Sequence, residues 1–85
     1  MPQRDQEIAL LREELEMLMR ERQSLLRVAG ASAVMIASLD SKRLPVGAIE
    51  SADQVATMIN DLSEETLQDA LAAVNAEIEE DASAA

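Results

Sequence analysis

The sequence predicts an all-α protein in which a long N-terminal amphipathic, coiled-coil-like helix joins a small bundle of two shorter acidic C-terminal helices. Apolar residues recur at spacings of three and four along most of the chain, which is the helical period. Only two Gly and two Pro occur in 85 residues, so few positions interrupt a helix. One turn-forming segment, residues 40–50, separates the long helix from the rest. A chain of this length forms a single domain.

Residues 4–27 carry a heptad pattern over about three heptads. Ile8 and Leu15 occupy a positions, and Leu11, Leu18 and Leu25 occupy d positions. Together with Arg22, which fills the next a position, they form what we call the seam. The charge of Arg22 opposes a dry seam, so its side chain either snorkels to water or selects register and pairing.

The apolar arc of this helix is wider than a two-stranded coiled coil requires. Leu10 and Met17 fall at c positions, whereas Met19 and Leu26 fall at e positions. A strict dimer would leave these side chains in water. The arc therefore predicts that the helix packs against two or more neighbours, as in a bundle.

The long helix is expected to span residues 1–39, bent or broken near Gly30. Residues 28–39 are apolar nearly all round, which predicts burial on all sides. Ala29, Ala33 and Ala37 form a stripe of small residues at i,i+4 spacing that would let another backbone approach closely. A β-strand from Ala33 to Leu39 is the less favoured alternative.

The second half of the chain predicts a loop and two short helices. Pro45 and Gly47 mark residues 40–50 as a loop. A capping box formed by Ser51 and Gln54 is expected to start the second helix, and Ser63 to cap the third. These helices, within residues 51–80, would fold back over residues 28–39, and residues 81–85 would form a frayed tail.

The composition argues against an enzyme. The chain has no His and no Cys, so the commonest metal ligand, the usual general base and thiolate chemistry are missing. Its two glycines cannot form a Gly-rich phosphate-binding loop. Adjacent Ser41 and Lys42 lie in a polar loop, where Lys42 should stay solvated. We therefore expect no catalytic residue, no metal, no cofactor and no small-molecule substrate.

The charge distribution limits the partners. The net charge is −10, and residues 50–85 contribute all of it, with ten acids and no base. Such a chain is repelled by nucleic acids and by anionic membranes, so direct binding to either is not expected. The longest apolar stretch, residues 28–39, is too short for a span of about 20 residues. With no apolar signal segment in residues 1–27, the cytoplasm is the expected compartment.

The lack of Phe, Trp and Tyr points to association, because a small aliphatic core is marginal without a partner. We expect a non-catalytic protein-binding module, acting as an adaptor, an assembly factor or an inhibitor. Its partner is another protein, a second copy of the chain, or both; in a parallel pair, Glu7 would face Arg12. The predicted interface comprises Ile8, Leu11, Leu15, Leu18, Met19, Arg22, Leu25 and Leu26.

Two alternatives remain from the sequence alone. Regularly placed carboxylates on helices could imitate a phosphate backbone, as in an inhibitor of a DNA- or RNA-processing protein, including a phage-encoded one. The candidate acidic surface comprises Asp53, Asp61, Glu64, Glu65, Asp69, Glu77, Glu79, Glu80 and Asp81. The other alternative is a structural homo-oligomer that binds only itself.

Overall fold

The computed structural model describes the backbone of residues 1–84 and the side chains of residues 1–75. Within residues 1–84 the chain forms α1 (Pro2–Ser38), α2 (Val46–Asn60) and α3 (Glu64–Ala84), with a 3₁₀ turn at Ser41–Arg43. The all-α prediction is confirmed, as is the order of one long helix followed by two shorter ones. None of these helices, as far as they are described, combines the length and apolar content of a membrane span.

Helix α1 is continuous through Gly30. Its 37 residues correspond to about 55 Å at 1.5 Å per residue. Pro2 stands in its first turn, where a missing N–H costs no hydrogen bond. The helix ends where Leu39 becomes extended, with φ −76° and ψ 138°. A break at Gly30 does not occur, nor does the alternative strand from Ala33 to Leu39.

The connection from α1 to α2 is shorter than the sequence predicted. The Asp40 carboxylate accepts a hydrogen bond of 3.0 Å from the Lys42 backbone N–H and starts the 3₁₀ turn. Pro45 is the N-cap of α2, so α2 begins at Val46 and the predicted capping box around Ser51 lies inside the helix. A proline that cannot continue one helix is well suited to begin the next, since its φ is already helical and its missing N–H is not needed there.

Helix α3 begins where the sequence placed it. Ser63 Oγ accepts a hydrogen bond of 3.1 Å from the Thr66 backbone N–H, which is the predicted N-cap. The helix continues to Ala84 and thus includes most of the segment assigned to a tail. Leu62, before this cap, and Leu67, after it, are both half-buried.

Helix α3 crosses α1 at Leu26 and Gly30, nearer the N-terminus than expected. The buried apolar residues among those described are Leu26, Ala70, Ala73 and Val74. A Cβ built on Gly30 would collide with the Ala70 carbonyl oxygen and would lie 2.5 Å from Val74 Cγ2. Close backbone approach was predicted for the alanine stripe, but glycine provides it here because only glycine leaves enough room for the Ala70 backbone.

The molecule is extended, and its core is small. The accessible surface is 7242 Å², whereas a compact 9.2 kDa protein exposes about 4,900 Å². The radius of gyration is 18.3 Å, against about 12 Å for a compact domain of this length. A large part of the chain therefore lies outside any intramolecular core.

Candidate interaction surface on the N-terminal helix

The first two thirds of α1 project from the rest of the molecule. Every residue from 2 to 25 is exposed, and we call this segment the arm. The principal extents of the molecule, 65 × 34 × 22 Å, reflect this projection. The arm is thus a helix whose sides are open to a partner.

All apolar members of the seam lie on the arm and are exposed. Leu11, Leu18 and Leu25 are 65%, 64% and 66% exposed, and Ile8 and Leu15 are similarly open. Most helical stability in proteins comes from packing of an apolar face, and this face is not packed within the chain. The seam is therefore an unsatisfied packing surface.

Arg22 is held by an ion pair within the chain. Its Nη2 donates to Asp69 Oδ2 on α3 at 3.3 Å, and both side chains are 57% exposed. An exposed pair of this kind contributes between zero and about 1 kcal/mol. The ion pair directs the guanidinium toward α3, which agrees better with a snorkelling Arg22 than with a charge buried in the seam.

Helix α3 takes over the same face of α1 where the seam ends. Arg22 and Ala29 are consecutive a positions of the heptad, and both lie against α3. Between them Leu26 is only 6% exposed, packed with Ala70 and Ala73. Leu26 was predicted as an interface residue, but α3 covers it, so it belongs to the internal core.

Further apolar residues widen the open surface beyond the seam. Leu10, Met17 and Met19 are exposed on the arm. Val28 and Met35, in the segment predicted to be buried on all sides, are exposed as well. That prediction is wrong because α3 and α2 cover only one side of α1. Helix α1 thus contacts both α3 and α2, but within the described part of the chain the wide arc on residues 4–27 is buried only at Leu26.

The described members of the acidic surface are exposed and lie on two helices and their junction. Glu64, Glu65 and Asp69 border one shallow depression, and Asp53 and Asp61 border another. Asp69 is engaged by Arg22. The side chains of Glu77, Glu79, Glu80 and Asp81 lie outside the described residues. Among the side chains that are described, no group of three or more potential ligands could hold a metal ion.

Sequence reasoning missed one apolar cleft, between the end of α1 and α2. It is lined by Met35, Ile36, Leu39, Leu44, Ala48, Ser51, Ala52 and Val55 and has a volume of about 280 Å³. The spacing of Leu44, Ala48 and Val55 could have indicated it, had α2 been started at Val46. The cleft is open to solvent, and its lining is almost entirely aliphatic.

Comparison with known proteins adds no assignment: no protein-family model, curated protein or solved structure matches this chain.

Proposed function

We propose that the protein is a non-catalytic protein-binding module that works through helix–helix contacts of its arm, as an adaptor, an assembly factor or an inhibitor. The observation that carries the proposal is the unbroken exposure of residues 2–25, including the apolar part of the seam. A partner helix laid on the seam would supply the packing that the chain itself does not.

The energetics support an apolar interface. Burial of apolar surface stabilises by roughly 25 cal/mol per Å², and the arm presents five aliphatic seam residues on one face. The arm carries four Arg and six acids, so its net charge is only −2. Association through this surface therefore depends on apolar burial, with charge deciding orientation and specificity.

A charge placed in the seam tests the proposal. We expect the double variant Leu15→Asp and Leu18→Asp to lose association, whether with itself or with a bound protein, because two carboxylates would be desolvated in the contact. The measurements are molar mass by light scattering and retention of partner proteins on the immobilised chain. The matched control is Gln6→Asp with Ala9→Asp, which adds the same charge outside the seam and should leave both readings unchanged.

If the seam variant, the control and the wild-type chain have the same molar mass and retain the same proteins, the arm is not the binding surface. The dependence of binding on salt then distinguishes an apolar interface from the acidic-mimic alternative. An apolar interface persists as ionic strength rises, whereas a carboxylate surface that imitates phosphates loses affinity steeply. A nucleic-acid enzyme retained only at low salt, and lost in Glu64→Gln with Glu65→Gln, would favour the mimic.

The proposed setting of this binding module is the cytoplasm. A periplasmic or extracellular location of the tagged full chain in fractionated source cells would contradict it.

A further inference from the structure

We propose that the partner of the arm is a second copy of this chain, and that the two arms pair antiparallel from Ile8 to Leu25. The proposal rests on the proposed function, since it names the occupant of the same surface. It is argued from where α3 blocks the seam, from the charges along the arm and from the surface available.

Helix α3 limits how far a partner helix can follow the seam. Beyond Leu25 the face is occupied by the packing of Leu26, Ala29 and Gly30 against α3, and the exposed Arg22–Asp69 ion pair marks the edge of this contact. A partner helix in contact with the seam must therefore end or turn away near this point. The open length is residues 2–25.

An antiparallel pair fits this open length. Placing Leu15 of one chain against Leu18 of the other sets Ile8 against Leu25 and Leu11 against Arg22. The six seam layers then all lie between the two α3 helices, one at each end. Residues 2–7 of each arm then face residues 26–31 of the other chain, where α3 lies, so this first part of each arm has to turn away from the contact.

A parallel pair in register is obstructed by the same crossing. It would bring both α3 helices to one level, each on the face of α1 that should meet the partner's α1. The two α1 helices would have to separate from Leu26 onward, over the whole remainder of α1, and Arg22 would stand opposite Arg22. In the antiparallel pair only residues 2–7 of each arm have to turn away from the partner's α3, and Arg22 meets Leu11 with its aliphatic stem while Asp69 holds its charged end.

Charge pairs on the flanks do not reverse this preference. A parallel pair gains Glu7 against Arg12, and an antiparallel pair places Glu14 near Glu21. Exposed pairs of this kind change an association constant by about fivefold or less. The parallel pair also gathers two C-terminal halves at one end, and residues 50–85 of each carry −10. The antiparallel pair separates them by much of the arm.

The surface available is ample for a stable dimer. The chain exposes 7242 Å², about 1.5 times the amount expected for a compact monomer of its mass. The excess is larger than the roughly 800 Å² per partner of a standard interface. Pairing the arms would cover the largest uninterrupted part of that excess.

The first measurement is the molar mass of the full chain across protein concentrations. We expect twice the 9.2 kDa of the monomer, falling to the monomer value for Leu15→Asp with Leu18→Asp. The Gln6→Asp with Ala9→Asp control should remain dimeric. A monomer at all accessible concentrations would overturn the proposal.

Cysteine cross-linking tests the orientation, and the chain has no native Cys to confuse it. Chains carrying Ile8→Cys and chains carrying Leu25→Cys are refolded separately and as an equimolar mixture, then oxidised. Antiparallel pairing predicts a disulfide-linked dimer between the two variants in the mixture and little in either variant alone. The two positions 8 of such a pair lie about 25 Å apart along the axis, beyond disulfide reach.

Each outcome has a separate meaning. Cross-linking within each single variant, with none between the two in the mixture, would overturn the antiparallel arrangement. A monomeric chain that still retains another protein through Leu15 and Leu18 would overturn self-pairing and leave the proposed function standing. If the Leu15→Asp with Leu18→Asp variant changes neither mass nor retention, the proposed function itself fails.

Discussion

Two neighbouring leucines show how differently the two parts of this molecule are built. Leu25, the last residue of the arm, is 66% exposed, whereas Leu26 is 6% exposed. The arm is exposed along its whole length, although Arg22 reaches Asp69 on α3. The segment from residue 26 to residue 75, which we call the corner, holds every buried residue described. The difference teaches that burial along α1 is decided by where α3 crosses it, since the chemistry of the two side chains is identical.

The corner itself buries little apolar area. Gly30 lies against the Ala70 backbone with no room for a side chain, and Leu26, Ala70, Ala73 and Ala29 form the apolar cluster beside it. Small residues let two helices approach closely, but they bury little apolar area per residue. The chain therefore has a short, close contact in the corner and a long, open seam on the arm.

The largest expected effect on stability distinguishes Leu26 from Leu25. Leu26→Ala should lower the free energy of unfolding by about 2–5 kcal/mol, because it leaves a cavity under α3. Leu25→Ala should act mainly on association, so its effect should vanish as the protein is diluted, while that of Leu26→Ala persists. Urea unfolding followed by circular dichroism at several protein concentrations measures both, and equal losses at every concentration would erase the distinction.

A pair of glycine substitutions tests the crossing next. Gly30→Ala should destabilise the corner by about 1–3 kcal/mol through overpacking against Ala70 and Val74, although alanine is the better helix former. Gly47→Ala, in the first turn of α2, meets nothing within 4 Å and should stabilise by about 0.4–1 kcal/mol. Thermal unfolding of the two variants should shift in opposite directions; a gain for Gly30→Ala would mean that α3 does not approach so closely.

The start of α3 should show a smaller effect. Ser63→Ala removes the acceptor for the Thr66 N–H and should cost about 1 kcal/mol. Ser63→Asp retains an acceptor and should restore most of the loss. Urea midpoints provide the comparison, and an unchanged midpoint for Ser63→Ala would show that this cap does not contribute to the corner.

The ion pair that joins arm and corner should contribute least. Asp69→Asn keeps the size of the side chain and removes its charge, so the loss should lie between zero and about 1 kcal/mol and shrink with added salt. Arg43→Gln, which removes the more exposed pair of 3.6 Å with Asp40, is a matched comparison away from the seam. A loss of several kcal/mol for Asp69→Asn would indicate that the pair is far less solvated than the structure shows.

The sequence alone determined the local features, because they depend on residues close together in the chain. The heptad of the arm, the helical period, the loop before α2 and the Ser63 cap could all be read from residue order. The start of α2 could have been read as well, from Pro45, but the stronger capping pattern at Ser51 concealed it. The exposed seam was predicted as an interface, and that role remains a prediction.

Only the tertiary structure decided which apolar residues are buried by other parts of the chain. The heptad places Leu25 at d and Leu26 at e, and so favours burial of Leu25, whereas in the fold Leu26 is the buried one. Nor does the pattern show that Gly30 is the residue that lies against another backbone. These outcomes depend on the position at which α3, more than thirty residues later, crosses α1. Periodicity specifies which face of a helix is apolar. Long-range packing decides which other element covers that face. For this reason the sequence could not show which part of the seam is left uncovered.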